Sequence, residues 1–335
     1  VRANATPRPT MRHVAERAGV SLKTVSRVIN GEDGVAAPTA ERVGAAIAEL
    51  GFERNDLAAS LRHGQSSGTL GLVIEDVANP FYSAVAQAVE TAARDRGLLL
   101  ITASAREDPE RERELVTALM RRRVDALLMV PAGPDHRYVF GRGHVPAVFL
   151  DRPPGAIDAD SVLADDAGGA RRGVEHLLAQ GHTRIACVAD AADLYTARER
   201  LRGYREALAA AGMHADPALV RTGNHSAAEG QAAVERLLAL PDGERPSAIL
   251  AANNRNTVGA VRAIVAHDHQ PALVGFDDFE LADVLGVTVM RSDPALMGER
   301  AAELAFARLD GDNGPPQQIT VPTTLVIRGS GEVAR

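Results

Sequence analysis

Residues 10–30, TMRHVAERAGVSLKTVSRVIN, set two short amphipathic segments on either side of a glycine. Thr10 offers a side-chain oxygen to the unpaired amides that open a helix over MRHVAERA. Gly19 ends that helix by taking the left-handed conformation open to a residue without Cβ. Val14, Ala15 and Ala18 recur at helical spacing and form its apolar face, with Ala15 small enough for close helix contact. Ser21 caps a second segment, LKTVSRVIN, whose Val25, Val28 and Ile29 turn inward. Leu22, Lys23, Ser26 and Arg27 are then left outward near its start, and Lys23 is the only lysine in the chain. A helix laid in a DNA major groove reads base edges with its N-terminal residues. Lys and Arg reach guanine acceptors or phosphates, Ser donates or accepts, and Leu meets a thymine methyl. The expectation is a helix-turn-helix; a three-helix cap with no role on DNA is the bland alternative.

Outward from this stretch, residues 10–50 hold three short helical patterns, and 51–67, GFERNDLAASLRHGQSS, form a polar connector. From Thr69 onward the pattern changes. TLGLVI, LLLITA, ALLMV, AVFLD, RIACVA, AILAAN and PALVGFDD read as buried strands, and amphipathic helical stretches such as YSAVAQAVETAARDRG separate them. Such alternation means βαβ units and parallel sheets with helices on both faces. The fold class is α/β: an all-α helix-turn-helix head, then a body of two doubly wound parallel-sheet subdomains. Open sheets of this kind bind ligands at the carboxyl ends of their strands. That rule marks the loops after Ile74, Phe149, Val188, Ala251 and Gly275, where Asp76 and Asn79, Asp151 and Arg152, Arg198 and Arg200, Asn253 and Asn254, and Asp277 and Asp278 gather.

The net charge of −7 argues against nucleic acid until its distribution is considered. Residues 1–66 carry nine Lys/Arg against seven Asp/Glu, and the remainder 28 against 37. A slightly basic head on an acidic body is compatible with DNA binding. A hydrophobic fraction of 45% lets each unit bury a core, and aromatics at 3% with no Trp make that core aliphatic. The single Cys187 excludes a disulfide framework, fits a reducing compartment, and lies in an apolar run that reads as core. No apolar run reaches the roughly 18 residues of a membrane span, and no hydrophobic signal region follows the N-terminal arginines. The expectation is a cytoplasmic protein.

VAERAGVSLKTVSRVINGEDGV, then AIAELGF, LGLVIEDVANPFY, VEHLLAQGHTRIA, ERLRGYREAL, PSAILAANNRNTVGAVRAI and VGFDDFELAD resemble, in this order, the LacI/GalR family of bacterial transcription regulators. The resemblance covers nearly the whole chain. It implies that the body is periplasmic-binding-protein-like and clamps a small molecule, by family frequency a sugar, between its halves. It implies a homodimer on a near-palindromic operator, with Thr10, Ser21, Leu22, Lys23, Thr24, Ser26, Arg27 and Asn30 at the DNA. It also implies a hinge helix in the connector, with Asn55 and Ala58 beside Leu61 as a minor-groove wedge; an apolar wedge unstacks a base step and gains contacts from the kink. The implied domains are 10–54 for the head and 55–67 for the hinge. The two subdomains are then 68–163 with 293–317 and 164–291 with 318–335. For the effector it implies Phe81, Tyr82, Asp165, Arg200, Asn253 and Asp277, to which the carboxyl-end rule adds Asp151. An aromatic face beside carboxylate, amide and guanidinium groups suits a sugar ring and its paired hydroxyls.

Each of these has a plainer reading: Arg200 as a solvated charge, Phe81 and Tyr82 as core, Asp277 as a cap. Four departures mark this chain, one of them the run LADVLGVTVMRSDP after GFDD, where the family usually has Pro and a Leu-Thr pair. Arg54 stands where the family has Pro before the hinge, and Ala36 replaces the usual Ser that caps the third helix, at about 1 kcal/mol. His225, in GNHSAAEG, stands where an aromatic often stacks on the ligand. A histidine can stack and hydrogen-bond, so it joins the effector set.

No nucleophile elbow, P-loop or metal-ligand spacing occurs, and HDH at 267–269 reads as a loop, so neither an enzyme nor a cofactor is expected. Two competitors remain: a sugar-binding protein for sensing or transport without DNA binding, which leaves the head unexplained, and a sugar-modifying enzyme on the same scaffold.

Overall fold

A computed structural model describes residues 9–29, 31–52, 66–140 and 145–333. Asn30 and the hinge residues Arg54, Asn55, Ala58 and Leu61 lie outside the described residues. The chain divides into two compact units, 1–67 and 68–335.

The first unit contains α1 (Met11–Ala18), α2 (Leu22–Ile29) and α3 (Ala37–Leu50). Thr10 Oγ1 accepts the His13 amide at 3.5 Å, and His13 Nδ1 accepts the Thr10 amide at 3.3 Å, a reciprocal cap. Gly19 ends α1 at φ 65° and Gly51 ends α3 at φ 59°. Ser21 Oγ accepts the Thr24 amide at 3.1 Å and so opens α2. Ala36 makes no side-chain cap, and α3 starts on Pro38 alone. Val14, Val25 and Val43 are wholly buried with Ala15 and Ala46, which joins all three helices in one small aliphatic core. Arg17 pairs with Glu49 at 2.6 Å and ties α1 to α3.

The second unit holds two six-stranded sheets with the same winding. The first orders its strands β11-β5-β4-β3-β1-β2, all parallel: β1 (Thr69–Ile74), β2 (Leu99–Ser104), β3 (Ala126–Met129), β4 (Ala147–Leu150), β5 (Asp160–Ala164) and β11 (Gln318–Val321). The second runs β12-β10-β9-β8-β6-β7, from β6 (Ile185–Val188), β7 (Val220–Arg221), β8 (Ala248–Ala251), β9 (Ala272–Phe276), β10 (Thr288–Arg291) and β12 (Thr324–Val326). Its edge strand β12 runs antiparallel to β10, so this sheet is not wholly parallel.

Successive strand residues such as Leu72 and Val73 point to opposite faces, yet both are buried, because helices cover each face. On the first sheet, α4 (Pro80–Asp95) and α10 (Pro294–Leu309) pack one face through Val85, Val89, Met297 and Phe306, while α5 (Pro109–Arg121) covers the other through Val116 and Leu119. On the second, α6 (Asp166–Ala179) and α7 (Tyr195–Ala210) cover one face, and α8 (Ala227–Leu238) and α9 (Asn254–Val265) the other. Burial pushes the Cys187 thiol of β6 up to about 12, as suits a core position.

The chain passes between the lobes three times: between β5 and α6, between β10 and α10, and between β11 and β12. The expected boundary at 317/318 is corrected by one strand. Gln318–Val321 pairs in register with Ser161–Ala164, so it completes the first sheet, and the last passage falls at Pro322–Thr323. The seven apolar runs expected as strands are strands. β5, β7, β10, β11 and β12 were not among them: β7 has two residues and β12 three, and the edge strands β11 and β12 expose much of their surface.

Candidate functional site

The strands of both sheets end at a cavity of about 250 Å³. Glu75, Asn79, Phe81, Tyr82, Arg106, Glu107, Asp151 and Arg152 line it from the first lobe; Asp190, Thr196, Arg200, His225, Asn253, Asn254, Arg255 and Asp277 line it from the second. Four of these, Arg106, Glu107, Asp151 and Asp277, hold left-handed backbone at φ 58°, 57°, 64° and 61°. Non-glycine residues rarely adopt it, and such outliers gather at ligand sites where surrounding structure over-determines them. Asp151 and Asp277 are counterparts. Each follows the fourth strand of its lobe, and each amide donates to the fifth strand at 2.9 Å, to Val162 and Met290 respectively. The winding therefore aims one carboxylate from each lobe at the same space.

Arg200 organises the floor from α7. Its Nε donates to Asp166 Oδ1 at 2.6 Å, and Nη1 donates to Asp277 Oδ2 at 3.0 Å and to the Ala252 carbonyl at 2.9 Å. The guanidinium carbon sits 3.8 Å over the Phe276 ring. Burial works against its charge, but Asp277, Asp166 and Asp151 outweigh it and lift its proton affinity above the ordinary range. Asp277 also accepts the Ser292 hydroxyl. Asp166 is buried, and desolvation pushes its carboxyl up to about 7 despite the pull of Arg200. In the first lobe Tyr82 Oη donates to Asp151 Oδ2 at 2.9 Å, and burial raises the Asp151 carboxyl above its usual range. Arg152 grips Glu107 with both Nη groups and donates to the Pro131 carbonyl. Phe81 meets Tyr82 edge-on, centroids 5.1 Å apart. His225 Nδ1 lies 2.6 Å from Asp190. Arg106 and Thr196 have no side-chain partner among the described residues, which leaves both available to a ligand.

Phe81, Tyr82, Asp151, Arg200, His225, Asn253 and Asp277 are thus brought together around one cavity. Arg200 is buried, not a solvated charge, and Asp277 engages Arg200 and Ser292 rather than capping a helix. Asn253 does double duty, since its Oδ1 accepts the Asn256 amide at 2.7 Å as the cap of α9. Asp165 is a correction. It caps α6 by accepting the Gly168 amide at 3.0 Å and pairs with Arg172 at 3.1 Å, so it braces the first lobe crossing and does not line the cavity. Its neighbour Asp166 takes the inward position beneath Arg200. Glu75, Arg106, Glu107, Asp190, Thr196 and Arg255 were missed. Glu75 and Asp190 follow strand ends closely enough for the carboxyl-end rule to have found them. The left-handed turn at Arg106–Glu107 carries no glycine to announce it.

In the head, α2 exposes Ser21, Leu22, Lys23 and Arg27, while Thr24 and Ser26 are half-buried. Leu22 is 47% exposed, a surface that an apolar side chain in a lone head leaves uncovered. Ser21 and Thr24 hydroxyls share a hydrogen bond at 2.9 Å, and Arg27 lies 3.5 Å from Glu32. Thr10 is exposed but engaged in its cap. No helix among the described residues is long and apolar enough to cross a membrane.

Comparison with known proteins agrees with both parts. Residues 10–55 match "Bacterial regulatory proteins, lacI family", and residues 174–331 match "Periplasmic binding protein-like domain". The chain is 35% identical to the HTH-type transcriptional regulator CelR of Thermobifida fusca, covering 97% of this chain and 98% of that protein. It is 33% identical to the ribose operon repressor of Escherichia coli strain K12, over 96% and 99%. Among solved structures, the lac repressor dimer bound to operator and the anti-inducer ONPF aligns with a TM-score of 0.83 at 30% identity, over 96% of this chain and 99% of that one. A CelR–cellobiose complex aligns at 0.71 and 33%, over 96% and 100%. The helix-turn-helix head, the twin-sheet body and these matches along nearly its full length agree: the chain belongs to the lacI family of bacterial regulatory proteins and is a DNA-binding transcription regulator.

Proposed function

We propose that this regulator is a homodimeric repressor whose affinity for a near-palindromic operator is set by a sugar in the interlobe cleft. The observation that carries the ligand is the pairing of Asp151 and Asp277, one from each lobe in strained backbone, about the buried Arg200 fork. Fixed acceptors and donors of this kind meet adjacent hydroxyls in pairs, and Phe81 and Tyr82, buried in the first lobe's core, add an apolar side. Relatives support the class: CelR has been seen with cellobiose, and the lac repressor as a dimer on operator. On DNA, Leu22, Lys23, Ser26 and Arg27 read base edges from α2, Ser21 and Thr24 contact the backbone, and residues 55–67 form the hinge with Leu61 as wedge. The division of labour is head 10–54, hinge, and two lobes that close on the ligand. A reducing, cytoplasmic setting fits the free thiol.

Anisotropy titration of the full chain on its own promoter, at two salt concentrations and with a sugar panel, tests this. Sequence-selective, salt-dependent binding that a sugar shifts is the expected result. Binding indifferent to DNA sequence overturns the repressor, and sugar binding with no DNA affinity leaves the sensing protein.

A further inference from the structure

One wall of the cleft is a bridge between the lobes. Arg255, near the start of α9, places Nη2 2.8 Å from Asp76 and Nη1 3.3 Å from Glu75, both on the loop after β1 in the other lobe. The same Nη1 reaches the His225 carbonyl at 3.4 Å. Beside it, Asn254 Nδ2 donates to Asn79 Oδ1 at 2.8 Å, again across the lobes. Glu75, Asn79, His225, Asn254 and Arg255 all line the cavity, so the bridge is itself the boundary of the ligand space. These are shielded groups: side-chain exposure is 12% at Glu75, 24% at Asp76 and 28% at Arg255.

The space so bounded is about 250 Å³. That is below the roughly 300–1,000 Å³ of pockets that take drug-sized ligands. That volume is on the scale of one sugar ring, and a second ring linked on the side of the bridge would collide with Arg255. To admit it, Arg255 must leave Glu75 and Asp76, and the largely buried Glu75 carboxylate would lose its cation without gaining another.

We propose that the cleft selects a single-ring sugar, and that Arg255 is the residue that sets this limit by latching Glu75 and Asp76 of the opposite lobe. The assignment rests on the sugar reading above and deepens it. The latch acts on ligand length and not on ring recognition, which belongs to Arg200, Asp151 and Asp277.

Calorimetric titration of the full chain with one-ring probes (D-ribose, D-glucose, D-galactose) and two-ring probes (cellobiose, maltose, lactose) tests it. The wild type should bind at least one monosaccharide on the order of 100-fold more tightly than any disaccharide. Arg255→Ala and Asp76→Asn should each narrow that preference at least tenfold, chiefly by improving disaccharide affinity, with Arg255→Lys in between; thermal melts confirm that each variant is folded. A wild type that prefers a disaccharide to its component sugars overturns the length limit and leaves the sugar reading standing. An unchanged preference in folded Arg255→Ala and Asp76→Asn proteins overturns the role of the latch. Binding by none of the six sugars removes the sugar reading, and this inference with it.

Discussion

Arg200 satisfies two buried carboxylates with one guanidinium, and its loss leaves both unpaired. Removing one partner from a buried ion pair costs about 3–5 kcal/mol, because the remaining charge has no water to return to. At pH 8, where Asp166 is ionised, Arg200→Ala should therefore lower unfolding free energy in urea by about that much. Arg200→Ala in an Asp166→Asn background should lose less, since one stranded charge is gone; equal losses in both backgrounds would break the account. Asp166 also makes a signed prediction about pH. Its carboxyl is pushed up from 3.8 to about 7, so between these values the folded protein holds a proton that the unfolded chain has released. The contribution is fully present below the unfolded value and is lost as pH rises through about 7. Asp166→Asn should remove this slope, and its stability relative to the wild type should rise from pH 4.5 to pH 8. A difference that stays constant across that range would refute it.

At the scale of elements, caps and close approaches decide what forms. α1 has a reciprocal cap and α2 a serine cap, whereas α3 opens on Ala36 with none. Ala36→Ser should stabilise the head by about 1 kcal/mol, a roughly fivefold drop in opening that amide exchange of α3 in the full chain would read. An unchanged exchange rate would mean that Pro38 and packing of Val43 already hold the first turn. α6 and α7 approach so closely that a Cβ on Gly203 would lie 2.1 Å from the Ala167 carbonyl oxygen. Gly203→Ala must push these helices apart, and with them Asp166 and Arg200. The expected cost is about 1–3 kcal/mol or more, with weakened ligand binding, read by urea unfolding and calorimetry; unaltered binding would separate the helix contact from the site.

For the whole molecule, two equally wound sheets face each other through their strand ends, and three passages of chain connect them. That arrangement puts the ligand between two lobes, and the effector acts on DNA only through the free energy that links the lobe arrangement to the operator-bound state. Linkage requires the coupling to be reciprocal. Whatever factor the effector changes in operator affinity, saturating operator must change in effector affinity, by the same amount and in the same sense. Anisotropy titration of operator with and without saturating effector, and calorimetric titration of effector with and without saturating operator, measure both factors; a factor of one in both would show that this ligand does not act on the operator-bound state.

The chain's local pattern was sufficient for the head helices, for seven of the twelve described strands and for the family. Helix-period apolar faces, the glycine after α1, and seven continuous apolar runs are properties of neighbouring residues, so the head and the twin α/β body were legible without coordinates. The carboxyl-end rule reached Asp151, Arg200, Asn253 and Asp277 for the same reason: topology follows from the order of elements. Tertiary structure alone decided the rest. Asp165 and Asp166 are indistinguishable as letters, and only the first turn of α6 turns one to Arg172 and the other beneath Arg200. The placement of β11 in the first sheet depends on hydrogen bonds to a strand more than 150 residues away. The latch from Arg255 to Glu75 and Asp76 joins groups that meet only when both lobes are folded and apposed. Side-chain direction and long-range pairing are set by the packing of the whole, and no window of sequence contains them.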